Sequence, residues 1–263
     1  MTEVGRILKL AQNDFSYFFR TKWLMAVLLS LNLSDMLVVA LVYKGIMNKT
    51  TFFTNYFSFF VPSVVVMGLF AAALDTGRRI WLAIREGVVQ YYLSLPISLG
   101  GVVVAYLLAG GLASIVYAGS LLIVALVVLP AQAVWSTLLL LPFLFVLAMG
   151  LAGIAATLAA LASTHGEYFF AYQQVVQLAL LTLSTLYYPI QLVQAHFPSF
   201  LVSIVSANPL TLAVQAMRNY TFAGNPVQPL SLVFILLASL PFTVIGALAY
   251  YLALRAFTIK GKL

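Results

Sequence analysis

The sequence predicts an all-α integral membrane protein. It should have six transmembrane helices, an amphipathic N-terminal helix, a cytoplasmic helix between the second and third spans, and short re-entrant helices before the last span. Three observations predict it. Of 263 residues, 63% are hydrophobic and only 7% are charged, against about 25% charged in an ordinary soluble domain. Six apolar runs reach the roughly 20 residues that a bilayer core of about 30 Å requires. Lysine and arginine gather on one side of those runs. A chain with so few charges cannot cover a water-facing surface, which excludes a soluble enzyme, a disordered chain and a nucleic-acid binder.

The spans fall at residues 23–43, 56–74, 100–129, 134–162, 169–188 and 230–254. The third and fourth are long enough to tilt. Pro142 and Pro241 lie inside spans, where each is expected to kink its helix. Trp23, Tyr43, Trp135, Tyr168, Tyr187, Tyr188, Tyr250 and Tyr251 mark span ends, at the headgroup level that amphipathic rings prefer. Residues 1–22, the loop after span two, the loop after span four and the C-terminal tail together carry ten of the Lys and Arg residues; the other side carries three, Lys44, Lys49 and Arg218. The basic side stays in the cytoplasm, so both termini are expected there and the chain in the cell membrane. No cleavable signal peptide is expected, because the first apolar run is full length and no small-residue cleavage site follows it. Residues 1–263 read as one transmembrane domain without internal repeats.

Three connecting segments carry more information. Residues 1–22 include an amphipathic helix: Val4, Ile7, Leu8, Ala11, Phe15, Phe18 and Phe19 fall on one face, with Arg6, Lys9, Asn13, Ser16 and Arg20 opposite. Such a helix lies in the membrane interface; a simple anchor fits equally. Residues 77–95 form a second helix, with Asp75 or Thr76 as its N-cap and Pro96 closing it. Ile80, Ile84, Val88, Tyr91 and Leu95 line one face, bordered by Trp81, and Arg79, Ala83, Glu86 and Gln90 another. A docking surface and a solvated elbow both fit this pattern. Residues 189–229 hold an apolar stretch, 197–207, that is too short to span. Asn208-Pro209 then starts a helix, with Asn as N-cap and Pro at the first helical position. Short helices entering the outer leaflet and an outer-surface hairpin both suit it.

Few polar residues lie inside the spans. Asp35 sits about 18 Å along span one from Trp23, near the midplane, where an acid costs about 2.5–3.5 kcal/mol. Asn32 is one turn away. The pair reads as a substrate or gating contact, or as a neutral group holding a helix interface. Gln173, Gln177 and Ser184 share a face of span five and line a cavity or bond between helices. Ala148, Ala152, Ala156 and Ala160 form a ladder of small side chains suited to close helix packing.

Absences narrow the chemistry. There is no Cys, and the two His are His165 and His196, which leaves no zinc-ligand spacing. Gly45 to Thr50 ends like a phosphate loop but lacks the second Gly and follows a membrane helix, so it is rejected. Asn48-Lys49-Thr50 and Asn219-Tyr220-Thr221 read as chance matches to the glycosylation pattern.

Three blocks carry a family resemblance. They are Asn55-Tyr-Phe-Ser-Phe-Phe-Val-Pro62; Arg85-Glu86-Gly87 followed by Leu93-Ser-Leu-Pro96-Ile-Ser98; and Tyr188-Pro189, Phe197-Pro198, Asn208-Pro209-Leu210-Thr211 and Arg218. In this order and spacing the chain resembles permeases of the ABC-2 exporter type, the membrane half of ATP-binding-cassette transporters. The resemblance implies a translocation pathway formed with a second permease copy, as homodimer or heterodimer, within membrane lipid. It implies a separate ATP-binding subunit that holds ATP and Mg, this chain binding no cofactor. Residues 77–95 would be the coupling helix, with Arg79, Arg85, Glu86 and Gln90 contacting that subunit and His165 and Glu167 forming a second contact. Residues 189–229, with Pro198, Asn208, Pro209 and Arg218, would be the outer re-entrant segment. The rival from the residues alone is a secondary transporter or channel independent of ATP.

Overall fold

The computed structural model describes residues 2–20, 22–34, 37–38, 42, 56–128, 132–162, 166–222, 225 and 229–259. Among these there are eleven α-helices and no strand. In chain order they are α1 (Glu3–Arg20), α2 (Lys22–Ser34), α3 (Tyr56–Arg85), α4 (Val88–Ser94), α5 (Leu99–Val128), α6 (Gln132–Leu161), α7 (Gly166–Thr182), α8 (Ile190–His196), α9 (Ser199–Ala207), α10 (Pro209–Ala216) and α11 (Pro229–Ile259). A π-helical turn, Met217–Phe222, continues α10.

Four helices are long and apolar enough to cross a membrane: Phe59–Arg85, Leu99–Ala125, Leu138–Leu161 and Leu232–Ala256. The count of six is not reached among the described residues. In the first expected span, α2 ends at Ser34, and most of the remainder, with Asp35, lies outside the described residues. In the fifth, α7 stops at Thr182 after 17 residues. The chain then turns through Leu183 to Tyr188, a Ser- and Thr-containing stretch closed by Pro189, which cannot continue a helix. The long helices run through Pro142 and Pro241.

Helix α6 is the axis of the bundle and packs against α3, α5 and α11. Its alanine ladder is buried throughout, as the spacing predicts. Without a strong hydrophobic drive between helices in lipid, close backbone approach supplies the attraction. Small residues allow it here: a Cβ on Gly246 of α11 would lie 2.5 Å from the Gly150 carbonyl oxygen of α6, and one on Gly153 would lie 2.7 Å from the Gly246 carbonyl carbon. On the same contact, the Thr243 hydroxyl donates to the Val146 carbonyl at 2.6 Å. Helix α3 reaches α6 in the same way, at Gly77 beside Ala155.

The N-terminal helix forms as expected, but its buried stripe is displaced. Leu10, Ala11 and Phe18 are buried, whereas Val4 and Leu8 are 64% and 56% exposed. Helix α1 thus has three faces: one packed on the protein, one apolar and outward, and one polar. The outward apolar face suits lipid.

Gly246→Ala is expected to push α11 from α6 and to destabilise the protein by about 1–3 kcal/mol. Gly100→Ala, where a Cβ meets nothing within 4 Å, should stabilise α5 by about 0.5–1 kcal/mol. Thermal unfolding of the two variants in one detergent checks the opposite signs.

Candidate functional site

The segment joining α3 to α5 differs from the expected independent helix 77–95. Helix α3 continues through Arg85 without a break at Asp75. Asp75 caps nothing; its carboxylate instead accepts from Arg78 Nε at 2.7 Å and lies 3.3 Å from Arg79 Nε, both within the reach of neighbouring helix turns. The break comes at Gly87, whose φ of 76° lies in the left-handed region that glycine enters without strain. The short helix α4 follows. This interruption resets the helical phase, so Val89 is buried in place of Val88 and Tyr91 turns outward. Ile80, Trp81 and Ile84 are buried as the spacing predicts.

The four side chains expected at the tip divide into two kinds. Arg85 and Glu86 are exposed, with the Arg85 guanidinium 4.9 Å from the Trp81 ring centre. Gln90 turns inward, its amide donating to the Ile84 carbonyl at 3.3 Å and closing the end of α3. Arg79 is only 3% exposed, buried within the chain and away from the exposed tip. It donates to the carboxylate and, at 2.9 Å, to the backbone carbonyl of Asp14, and to the Thr76 hydroxyl at 3.1 Å. Its guanidinium also stands 5.3 Å from the Phe18 ring centre. A guanidinium removed from water requires such satisfaction.

Asp14 was not singled out by the sequence reading, although the signal is present. It lies between Leu10 and Phe18 at four-residue spacing, an acid within the stripe that proves buried. Burial pushes its carboxyl above the ordinary carboxylate range and the neighbouring Asp75 adds to this, while Arg79 pulls it back. Further ties bind α1 to both sides of the elbow. Asn13 donates to the Tyr92 hydroxyl at 2.8 Å, Arg6 donates to the Pro96 carbonyl, and the Glu3 carboxylate accepts from the Ser98 amide at 3.2 Å. The Ser98 contacts hold the Glu3 carboxyl below its ordinary value.

The second expected contact starts beside the first. Trp81 stacks on Phe169, with ring centres 5.8 Å apart, which brings the start of α7 to the elbow. Glu167 lies in the first turn of α7, but its side chain is outside the described set, as is His165.

The polar residues between helices are partly brought together. Asn32 and Gln177 line one cavity of about 170 Å³ with Met67 and Phe70. Asn32 also donates to the Tyr117 hydroxyl at 2.9 Å. Gln173 keeps a buried side-chain oxygen without a hydrogen-bond partner. Ser184 does not share their face: it lies beyond the end of α7, where its hydroxyl donates to the Leu181 carbonyl at 2.7 Å.

At the opposite end of α3, the described residues of the segment 189–229 that run from Pro189 to Phe222 pack on the turn after α7. Pro198 precedes α9, and α9 meets α10 with its π-helical extension at a bend of 69°. Asn208 caps α10 as expected, accepting from the Leu210 amide at 2.9 Å with Pro209 next in line. Its amide also donates to the Leu180 and Leu183 carbonyls at 2.9 and 2.7 Å. Arg218 donates to the carbonyls of Phe59, Thr185 and Leu186 at 3.0, 2.8 and 3.1 Å and to the Ser63 hydroxyl at 2.8 Å. These two side chains cap the carbonyls freed where α7 breaks. No family model matches the chain, and no curated protein matches it in sequence.

Asp14→Ala is expected to remove about 1.5–3 kcal/mol, the worth of hydrogen bonds to a charged group, and to detach α1 from the elbow. Asp14→Asn, which keeps an acceptor for Arg79, should lose less. The measurements are the unfolding midpoint and the rate of proteolysis within residues 1–22.

Proposed function

We propose that the chain is the permease subunit of an ATP-driven exporter of the ABC-2 type, forming its pathway with a second permease copy. Separate ATP-binding subunits, which hold ATP and Mg, drive it from the cytoplasm of a cell whose membrane carries the complex. In this reading α2 begins the first span, α7 and the turn after it make the fifth, and both termini are cytoplasmic. Helices α8 to α10 enter the outer leaflet.

The observation that carries the reading is the elbow at Gly87. It presents Arg85 and Glu86 at the tip of a helix that continues without interruption to Tyr56, a length of about 45 Å for 30 residues. A force applied there is transmitted along α3. It is not lost in bending at the tip, because α1 braces the elbow through Arg79–Asp14, Asn13–Tyr92 and Arg6–Pro96. At its other end α3 meets Arg218, which binds Phe59 and Ser63 together with the turn after α7. Binding of ATP to the partner can favour one arrangement only through contacts that differ between the two states, and the elbow is the element placed to make them. The Asn32–Gln177 cavity lies between α2, α3 and α7, where a shift of α3 alters its width.

Tagged full-length protein purified from native membranes should bring down a nucleotide-binding subunit. Arg85→Ala and Glu86→Ala should each weaken that capture about tenfold, as expected for central interface residues, with the unfolding midpoint unchanged. Solute movement by the isolated chain without ATP would overturn the reading in favour of an ATP-independent transporter or channel; capture undiminished in both variants would overturn the elbow as the contact with the ATP-binding subunit.

A further inference from the structure

A cavity of about 440 Å³ lies between the end of α7, the turn after it, α8 and α9. It is within the size range of small-molecule sites and nearly three times the roughly 150 Å³ that admits benzene to an apolar protein interior. Leu183, Leu192, Val193, Leu201 and Val205 line it. The next stripe of α9 is apolar too: Phe200 and Ile204 are 62% and 46% exposed. A helix apolar on both its inward and outward stripes belongs against hydrocarbon, so the medium beside the cavity is lipid. Apolar packing alone cannot hold a molecule there, since lipid offers the same contacts outside. Retention requires a polar contact, and two side chains of the lining supply it. The Tyr188 hydroxyl donates to the Thr182 carbonyl at 2.5 Å, which leaves its oxygen able to accept. His196 Nδ1 is 3.1 Å from the Leu192 carbonyl. A carbonyl only accepts, so Nδ1 carries a proton, and in that tautomer Nε2 is an acceptor. Two acceptors beside an apolar chamber match a donor head on a hydrocarbon chain.

We infer that this cavity binds the hydrocarbon chain of a membrane amphiphile whose head carries a hydroxyl group, bonded at His196 and Tyr188. The site depends on membrane embedding and not on the ATP-binding partner, so it stands whether or not that partner is found. The test uses the full chain in phosphatidylcholine vesicles with two photoreactive probes, a long-chain alcohol bearing a diazirine and its methyl ether. Residues 182–205 should be labelled by the alcohol well above the exposed face of α11. Val193→Trp, which fills the chamber and keeps the head from the two acceptors, should cut that labelling about tenfold, the equivalent of losing about one hydrogen bond. His196→Phe should abolish the preference for alcohol over ether. Should Val193→Trp fail to fold, Leu201→Phe carries the same expectation. Labelling of 182–205 no denser than that of α11, undiminished labelling in a folded filling variant, or cross-links joining two copies through α9 in place of probe adducts would each overturn the inference.

Discussion

Backbone polar groups that leave water where a helix stops have to be satisfied from within the chain, and the arrangement of the helices around α3 and α7 follows from that constraint. Hydrocarbon offers no hydrogen bonds, so a helix that stops inside an apolar bundle exposes carbonyls that something must cap. Helix α7 stops at Thr182; its freed carbonyls at Leu180, Leu181 and Thr182 accept from Asn208, Ser184 and Tyr188, and those of the turn that follows, at Leu183, Thr185 and Leu186, accept from Asn208 and Arg218. The Thr211 hydroxyl completes the cover by accepting from the Thr185 amide at 3.1 Å. The bent pair α9 and α10 is therefore a part of α7 in energetic terms, although 26 residues separate Thr185 from Thr211.

A similar constraint on charged side chains acts at the other end of α3. Arg79 is buried beside Asp14 and Asp75, and removing any one of these charges strands the rest. The contact orients α1, whose apolar side would otherwise offer several equivalent faces to the protein. Helix α3 thus runs between two polar clusters, one of ions and one of capped carbonyls. Within the ionic cluster, backbone approach at Gly77 also holds the helix to Ala155 of α6. The two clusters tie α3 at one end to α1 and at the other to the turn after α7.

Much of this architecture was legible in the residues. The long helices are written in uninterrupted apolar runs, the α6 ladder in alanines at four-residue spacing, and the α10 cap in Asn208-Pro209, because each depends on local periodicity or local backbone chemistry. The misplaced features have a shared cause. The start of a helix at Asp75, the buried stripe of α1, the position of Ser184 and the exposure of Arg79 all depend on what stands opposite in space. Asp75 has good capping chemistry, yet two arginines on the following turn engage it instead. Arg79 has the charge of a surface residue, yet Asp14, 65 positions away, draws it inside.

Composition and periodicity by themselves determined that this chain is helical, apolar and broken at Pro189 and Asn208, since these follow from side-chain transfer energies and from backbone angles that one residue sets alone. Only the tertiary structure decided which charges are buried, that the elbow breaks at Gly87, which turn receives Arg218 and where an apolar chamber remains open. Those outcomes depend on pairs of residues distant in sequence whose desolvation is favourable only when both partners arrive together.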